Sequence, residues 1–315
     1  MNWKNVTIAG GGVLGSQIAL QVAYSGYKTT IWLRSEDSIT RTKPKLERYR
    51  DLYIADLESM KDGKHYFPGL SRQKKLSVSE MDALIENFKK AYQNIVLTTD
   101  WQEGFADADF IIEAIAENVE EKKDFYTKLN DYTKNDVVIA TNSSTLLPSQ
   151  FKSCIKNKEN YLALHFANHI WRQNTAEIMG HDETDKNSFD AVVDFAQSIN
   201  MVPLKLFKEQ PGYLLNSMLV PFLSAAQQLL ADGVGNVEDI DKAWTLGTGS
   251  PLGPFRILDI VGLQTAYNIQ MMKPSASDPQ TPSGRVATML KAYLDAGKTG
   301  VNAKEGFYSY KEEGK

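Results

Sequence analysis

NVTIAGGGVLGSQIALQVA, residues 5–23, holds a strand, a glycine turn and the start of a helix in nineteen positions. Asn5–Ala9 is a short run centred on three β-branched residues, Val6, Thr7 and Ile8, a composition that favours a strand. Gly10-Gly11-Gly12-Val13-Leu14-Gly15 follows, and Ile18, Ala19, Val22 and Ala23 then recur at helical spacing. A GxGxxG pattern is a weak signal alone, but between a strand and a helix it marks a dinucleotide site. Gly10 would permit the tight turn, Gly12 would let backbone approach a pyrophosphate, and Gly15 would let the helix pack on the strand. The anion then lies at the helix N-terminus, beside Val13 and Leu14. A flexible turn before an unrelated helix explains the glycines but not their flanks.

Working outward, Lys28–Leu33 reads as the second strand of a βαβ unit. Its end should carry the acid that accepts hydrogen bonds from the adenosine ribose, yet the chain has Leu33, Arg34 and Ser35 there. From Ser38 to Gln93 a polar, charged segment with helical stretches at Lys45–Met60 and Ser77–Ala91 interrupts the alternation. Its lysines and arginines read mainly as solvated helix faces. Strands resume at Ile95–Thr98, Phe110–Ile115 and Val137–Thr141, with a helix at Val119–Asp131. Apolar strands joined by amphipathic helices imply a parallel sheet covered on both faces, with ligands beyond the strands' C-terminal ends. Those ends carry Glu113, Glu117, Asn118 and Asn142-Ser-Ser144-Thr145, placed either to bond a ligand or to cap a helix.

LALHFANHIWRQNTAEIMG, residues 162–180, sets His165 at the end of an apolar strand and Glu177 twelve positions later. An imidazole titrates near neutrality, and a carboxylate on its far nitrogen fixes the tautomer and favours the protonated ring. The pair reads as a proton shuttle; a buried histidine satisfied by a neighbour is the alternative. A helix over Asp185–Ile199 and a short strand over Met201–Lys205 lead to Gln210-Pro211-Gly212, which punctuates the chain. Beyond it Tyr213–Ala231, Val237–Thr245 and Ile257–Asn268 read as helices, with helix continuing to Ala296. The expected fold is α/β: a Rossmann-type doubly wound domain over residues 1–208 followed by an all-α C-terminal domain over 209–315.

The chain has 315 residues, 42% hydrophobic and 23% charged, enough to bury one large core and one small one. A net charge of −4 with no basic stripe argues against nucleic acid as a partner. Cys154 is the single cysteine, so no internal disulfide forms, and no Cys/His cluster has metal-ligand spacing. A reducing, cytoplasmic setting is expected. Met1–Lys4 leads straight into a strand without an apolar leader, and no apolar run is expected to reach membrane-spanning length, so no membrane partner is expected. The apolar character of the second domain implies burial against a second copy, a homodimer.

Taken together, Gly10-x-Gly-x-x-Gly15, Glu113-Ala-Ile-Ala-Glu-Asn118, Asn142-Ser-Ser144, His165-Phe-x-Asn168, Glu177, Pro211-Gly-x-x-x-Asn216, Gly253-Pro-Phe255 and Gly306-Phe-Tyr308 resemble the 3-hydroxyacyl-CoA dehydrogenases over nearly the whole chain. The resemblance implies His165 as general acid/base, Glu177 as its orienting carboxylate, and Ser144 and Asn216 as hydrogen-bond partners of the reacting oxygen. It implies a bound NAD or NADP and a small 3-oxo or 3-hydroxy acyl substrate. Glu113, Glu117, Asn118 and Asn142 fall where the family lines its cofactor site. Lys122 matches a lysine near cofactor and substrate, or is a surface lysine. A third reading, a retired cofactor-binding structural protein as known among relatives in eye lens, is disfavoured by the intact His, Glu, Ser and Asn set.

Two departures stand out. The family's usual HFFNP is here His165-Phe-Ala-Asn168-His169-Ile-Trp171-Arg172. Asn168, Trp171 and Arg172 would then touch the substrate, narrowing its channel or meeting a polar ester or acid, unless Trp171 is loop packing. The stretches GVLGSQ, TNSSTLLP and HFANHIW are also similar to bacterial diketoreductases, which reduce dioxo esters free of coenzyme A. At the second strand end, Leu33 neither attracts NAD nor repels the 2′-phosphate of NADP. Arg34 and Ser35 add donors suited to phosphate, unless Arg34 stacks on the adenine.

Overall fold

The structure, a computed structural model, describes residues 3–310. Met1 and Asn2, part of the leader reading, lie outside the described residues, as do 311–315. The chain divides into two compact units, Met1–Leu214 and Leu215–Lys315.

The first unit runs β1 (Asn5–Ala9), α1 (Val13–Tyr24), β2 (Lys28–Trp32), α2 (Glu36–Ser59), α3 (Val78–Gln93), β3 (Val96–Thr98), α4 (Trp101–Phe105), β4 (Phe110–Glu113), α5 (Val119–Leu129), β5 (Val138–Thr141), β6 (Tyr161–Phe166), β7 (Thr175–Gly180), α6 (Lys186–Ser198) and β8 (Val202–Leu206). The strands make one eight-stranded sheet in the order β3-β2-β1-β4-β5-β6-β7-β8. Neighbours pair in parallel except β6 and β7, which are antiparallel. Strand order reverses between β1 and β4, so the crevice for a ligand opens there. Successive β4 residues serve both faces: Phe110 and Ile112 pack under α1 and α6, while Ile111 joins Phe105, Phe125 and Tyr126 on the other side. That two-faced burial is why these strands are continuously apolar.

Two elements differ from expectation. Helix α2 begins at Glu36, nine residues before Lys45, with Ser35 accepting the Ser38 N–H at its cap and Pro44 carried inside. Proline reads as a helix boundary because it lacks a donor, and here the cap upstream overrides it. Helix α7 (Tyr213–Ala231) has its first two residues in the first unit and continues into the second, whose other helices are α8 (Val237–Thr248), α9 (Pro254–Val261), α10 (Leu263–Met271) and α11 (Pro282–Asp295). The helix expected over Ile257–Asn268 is broken at Gly262, whose φ of 93° is left-handed, and residues 273–281 are not helical. The core of this unit gathers Leu223, Phe255, Leu258, Leu263, Val286 and Leu290.

Helix α7 corrects the reading that no apolar run reaches spanning length: with 19 residues and a mean hydropathy of 1.3 it is long and apolar enough by length and composition alone. Leu223 and Ala226 of that helix are nevertheless buried in the helical core.

Candidate active site

The glycine loop is shaped by contacts that only glycine permits. Gly10 has φ 116°, and a Cβ there would lie 2.5 Å from the Ala114 carbonyl; at Gly15 it would lie 2.1 Å from the Gly10 carbonyl. A Cβ at Gly12 would meet nothing within 4 Å, so this glycine leaves space for a ligand rather than for the protein. Among the described residues no side chain caps α1, which leaves its first N–H groups for an anion. A cleft of 590 Å³ opens there, lined by Gly10, Gly12, Leu33, Arg34, Ala116 and Phe125 among others. Trp32 lines it too, and its buried indole N–H has no hydrogen-bond acceptor among the described residues, a donor that an acceptor on a bound dinucleotide would satisfy. These residues fit a nicotinamide dinucleotide, which would supply or accept a hydride when bound.

The antiparallel pairing of β6 with β7 explains how residues twelve apart meet, because its register puts His165 directly opposite Glu177. Opposite residues share a face, and His165 Nδ1 lies 3.0 Å from Glu177 Oε2. A carboxylate only accepts, so Nδ1 carries the proton and Nε2 is the atom free to gain or lose one. Ser144 Oγ lies 3.1 Å from Nε2. Both members of the pair are buried, at 7% and 3% exposure, so water does not compete for their bond.

Glu117 and Asn142 hold this geometry. Glu117 accepts from the Ser143 hydroxyl and from the Ser144 backbone N–H at 2.7 Å, fixing the serine loop. Asn142 Oδ1 accepts the Phe166 N–H at 3.1 Å, tying that loop to the end of β6. Asn118 caps α5 through the Glu121 N–H. Lys122 is neither a surface lysine nor open to the cleft: it is 1% exposed and donates to Glu113 Oε1 at 2.6 Å.

The substrate readings for the loop after His165 are corrected in part. Trp171 is fully buried; it donates its indole N–H to Asp56 Oδ2 at 2.6 Å and lies 4.2 Å from the Tyr53 ring, so it is packing rather than a channel wall. Arg172 gives Nε and Nη2 to the same carboxylate at 2.6 and 2.8 Å, which occupies the fork expected to meet a substrate. Asn168 is exposed but accepts from Gln17 Nε2 at 2.8 Å. Ser35 serves as the α2 cap, not as a free donor, and Leu33 is buried against Gly11. Arg34 pairs with Glu121 at 3.3 Å. Asn216 lies on α7, in the second unit.

Sequence reasoning passed over Tyr213, Leu214, Gln17 and Asp56. Tyr213 stacks on the His165 ring, and the Leu214 N–H is donated to Glu177 Oε1 at 2.9 Å. Gln17 was discernible as an amide amid apolar residues of α1; it is fully buried and its Oε1 accepts the His169 N–H.

A doubly wound sheet whose glycine turn meets a cleft, with a serine, histidine and glutamate linked at the strand ends, defines a nicotinamide-dependent dehydrogenase. The model of the 3-hydroxyacyl-CoA dehydrogenase NAD binding domain matches residues 5–210, and that of the 3-hydroxyacyl-CoA dehydrogenase C-terminal domain matches 212–310. The chain belongs to the 3-hydroxyacyl-CoA dehydrogenase family, and it is an oxidoreductase acting on a CH–OH group. Mitochondrial hydroxyacyl-coenzyme A dehydrogenase of Rattus norvegicus is 29% identical over 309 residues, 98% of this chain and 91% of that one. A probable 3-hydroxyacyl-CoA dehydrogenase of Caenorhabditis elegans is 31% identical over 308 residues, covering 98% and 93%. A solved diketoreductase, described as catalysing reactions of dicarbonyl compounds, is 41% identical with a TM-score of 0.85, covering 98% of this chain and all of that one.

Proposed function

We propose that this oxidoreductase interconverts 3-oxo and 3-hydroxy acyl compounds, with His165 moving the proton that accompanies hydride transfer. The linked hydroxyl, imidazole and carboxylate of Ser144, His165 and Glu177 carry this reading. In reduction, His165 Nε2 gives its proton to the oxygen of the carbonyl as negative charge develops there; in oxidation the same atom takes it back. Glu177 holds Nδ1–H throughout and stabilises the ring while it is cationic. Ser144 is assigned to a hydrogen bond with the reacting oxygen.

The family points to a coenzyme A thioester as substrate. A second reading, a dioxo ester free of coenzyme A, is favoured by the 41% identity to the diketoreductase, compared with 29–31% for the two dehydrogenases named above. We assign NADPH as the preferred reductant because Leu33 stands where a carboxylate would repel the 2′-phosphate. The cleft adds Arg34, Arg41, Lys45 and Lys128 against the carboxylates Glu121 and Asp124. A homodimer is supported by exposed apolar side chains of the second unit, among them Met218, Leu246 and Met272. The lone Cys154 suits a reducing, cytoplasmic setting.

The deciding experiment follows oxidation of NADPH and NADH with acetoacetyl-CoA and with an acetoacetate ester, in wild type and His165→Gln. The variant should lose about 100- to 10,000-fold in turnover while still binding dinucleotide. A loss below tenfold removes His165 as the shuttle, and a hundredfold preference for the thioester removes the ester reading.

A further inference from the structure

Ser38, Arg41, Thr42 and Lys45 fall three and four residues apart on α2, so they share one face of that helix. All four line the 590 Å³ cleft. The stripe divides into two pairs. Lys45 Nζ donates to the Gly11 carbonyl at 3.4 Å and so serves the glycine loop, while Thr42 Oγ1, 3.2 Å from the same carbonyl, has its shorter bond to the Ser38 carbonyl at 2.7 Å. Ser38 and Arg41 serve each other: Arg41 Nη2 donates to Ser38 Oγ at 2.9 Å, and Ser38 Oγ lies 3.0 Å from the capping Ser35 Oγ. Arg34 lines the same cleft from the end of β2, its guanidinium 3.3 Å from Glu121 in a largely exposed pair.

We propose that Arg41 and Ser38, joined by Arg34, form the seat of the 2′-phosphate of NADP(H), and that Arg41 determines the preference. The proposal rests on the NADPH reading above and supplies its chemistry. Ser35 is committed to the helix cap, and Arg34 is paired through Nη1 with the Glu121 carboxylate, which offsets part of its charge toward a phosphate. Arg41 is exposed and bonded only through one nitrogen to a neutral hydroxyl among the described contacts. Its planar fork is therefore available for two oxygens of a phosphate, while the Ser38 hydroxyl turns to donate to a third. Glu36 and Asp37, the acids in the first turn of α2, do not line the cleft. A ribose 2′-hydroxyl carries no charge for Arg41 to meet, so the residue contributes to the phosphorylated cofactor alone.

The test compares adenosine 2′,5′-bisphosphate with adenosine 5′-monophosphate, which differ only in the 2′-phosphate, by calorimetric titration of the full chain. Wild type should bind the bisphosphate at least tenfold more tightly. Arg41→Ala should lose about ten- to a hundredfold in bisphosphate affinity and keep its monophosphate affinity within about twofold. Ser35→Ala should retain the wild-type ratio. Wild type without discrimination overturns the NADPH reading and the seat with it. Discrimination that survives in Arg41→Ala overturns this seat alone and leaves Arg34 as the phosphate ligand. An equal loss of both fragments in Arg41→Ala also overturns it, by showing that Arg41 supports the adenosine pocket as a whole.

Discussion

Tyr213 lies flat against His165, with ring centroids 4.4 Å apart and planes 11° from parallel. Its backbone is left-handed, φ 55°, a conformation that costs a bulky residue about 1–3 kcal/mol and persists only where surrounding contacts enforce it. Those contacts belong to the site: the phenol donates to the Ser143 carbonyl at 2.7 Å, and the next residue donates its N–H to Glu177. Burial pushes the phenol well above its ordinary value, so it stays a neutral donor throughout the working range. Tyr213→Ala should lower turnover by at least about tenfold through loss of ring orientation. Tyr213→Phe keeps the stack and should leave the alkaline limb of the pH–rate profile where it is. An alkaline limb that moves in the phenylalanine variant would show that the phenol itself titrates.

Glu177→Gln tests the carboxylate without removing its shape. The amide oxygen can still accept from Nδ1 or from Leu214, but it carries no charge to stabilise the imidazolium. Turnover should fall by roughly 100- to 10,000-fold with the melting temperature nearly unchanged. Unchanged kinetics would reduce the His165 to Glu177 contact to a packing feature.

The strand, glycine turn and helix of residues 5–23 were legible because one local pattern serves both fold and cofactor. His165 and Glu177 were legible from their residue types, but the reason they meet is the antiparallel register of β6 and β7, which needs the turn between them. Trp171 was ambiguous in sequence because an indole suits a channel wall and a core equally. Asp56, which decides between them, lies 115 positions away. Ser35 was misleading for a related reason: a hydroxyl at a strand end looks like a ligand donor until the next helix is known to start beside it.

Asp56 pins the loop that follows His165. Its carboxylate is nearly buried and receives Trp171 and Arg172 together, while the Gly69 N–H holds the Trp171 carbonyl at 3.0 Å. Asp56→Asn should destabilise the protein by about 1–3 kcal/mol in chemical denaturation, and raise KM for the acyl substrate more than it lowers kcat. Trp171→Phe, which keeps a ring but not the N–H, should leave the ratio of kcat/KM for ester and thioester within about twofold. A change of substrate preference in that variant would return Trp171 to the channel.

Glu113 and Lys122 make the last case, because sequence position offers Lys122 to the cofactor whereas the structure pairs it inside the protein. Glu113 is fully buried and takes four donors: Lys122 Nζ and the Ile115 N–H on Oε1, Tyr126 and Thr141 hydroxyls on Oε2. Lys122 and Tyr126 lie on α5, Thr141 ends β5 and Ile115 follows β4. Removing one charge from such a buried pair, 1% and 0% exposed, leaves the other uncompensated, a loss of about 3–5 kcal/mol. Lys122→Met should therefore shift the urea midpoint strongly. Lys122→Met combined with Glu113→Gln should recover much of that loss, since neither charge then remains, and the coupling between the two changes is read from the double-mutant cycle. A cofactor ligand would behave differently: KM for the dinucleotide would rise in Lys122→Met at unchanged stability, and the second substitution would restore nothing. That outcome would move Lys122 from the interior framework to the cofactor.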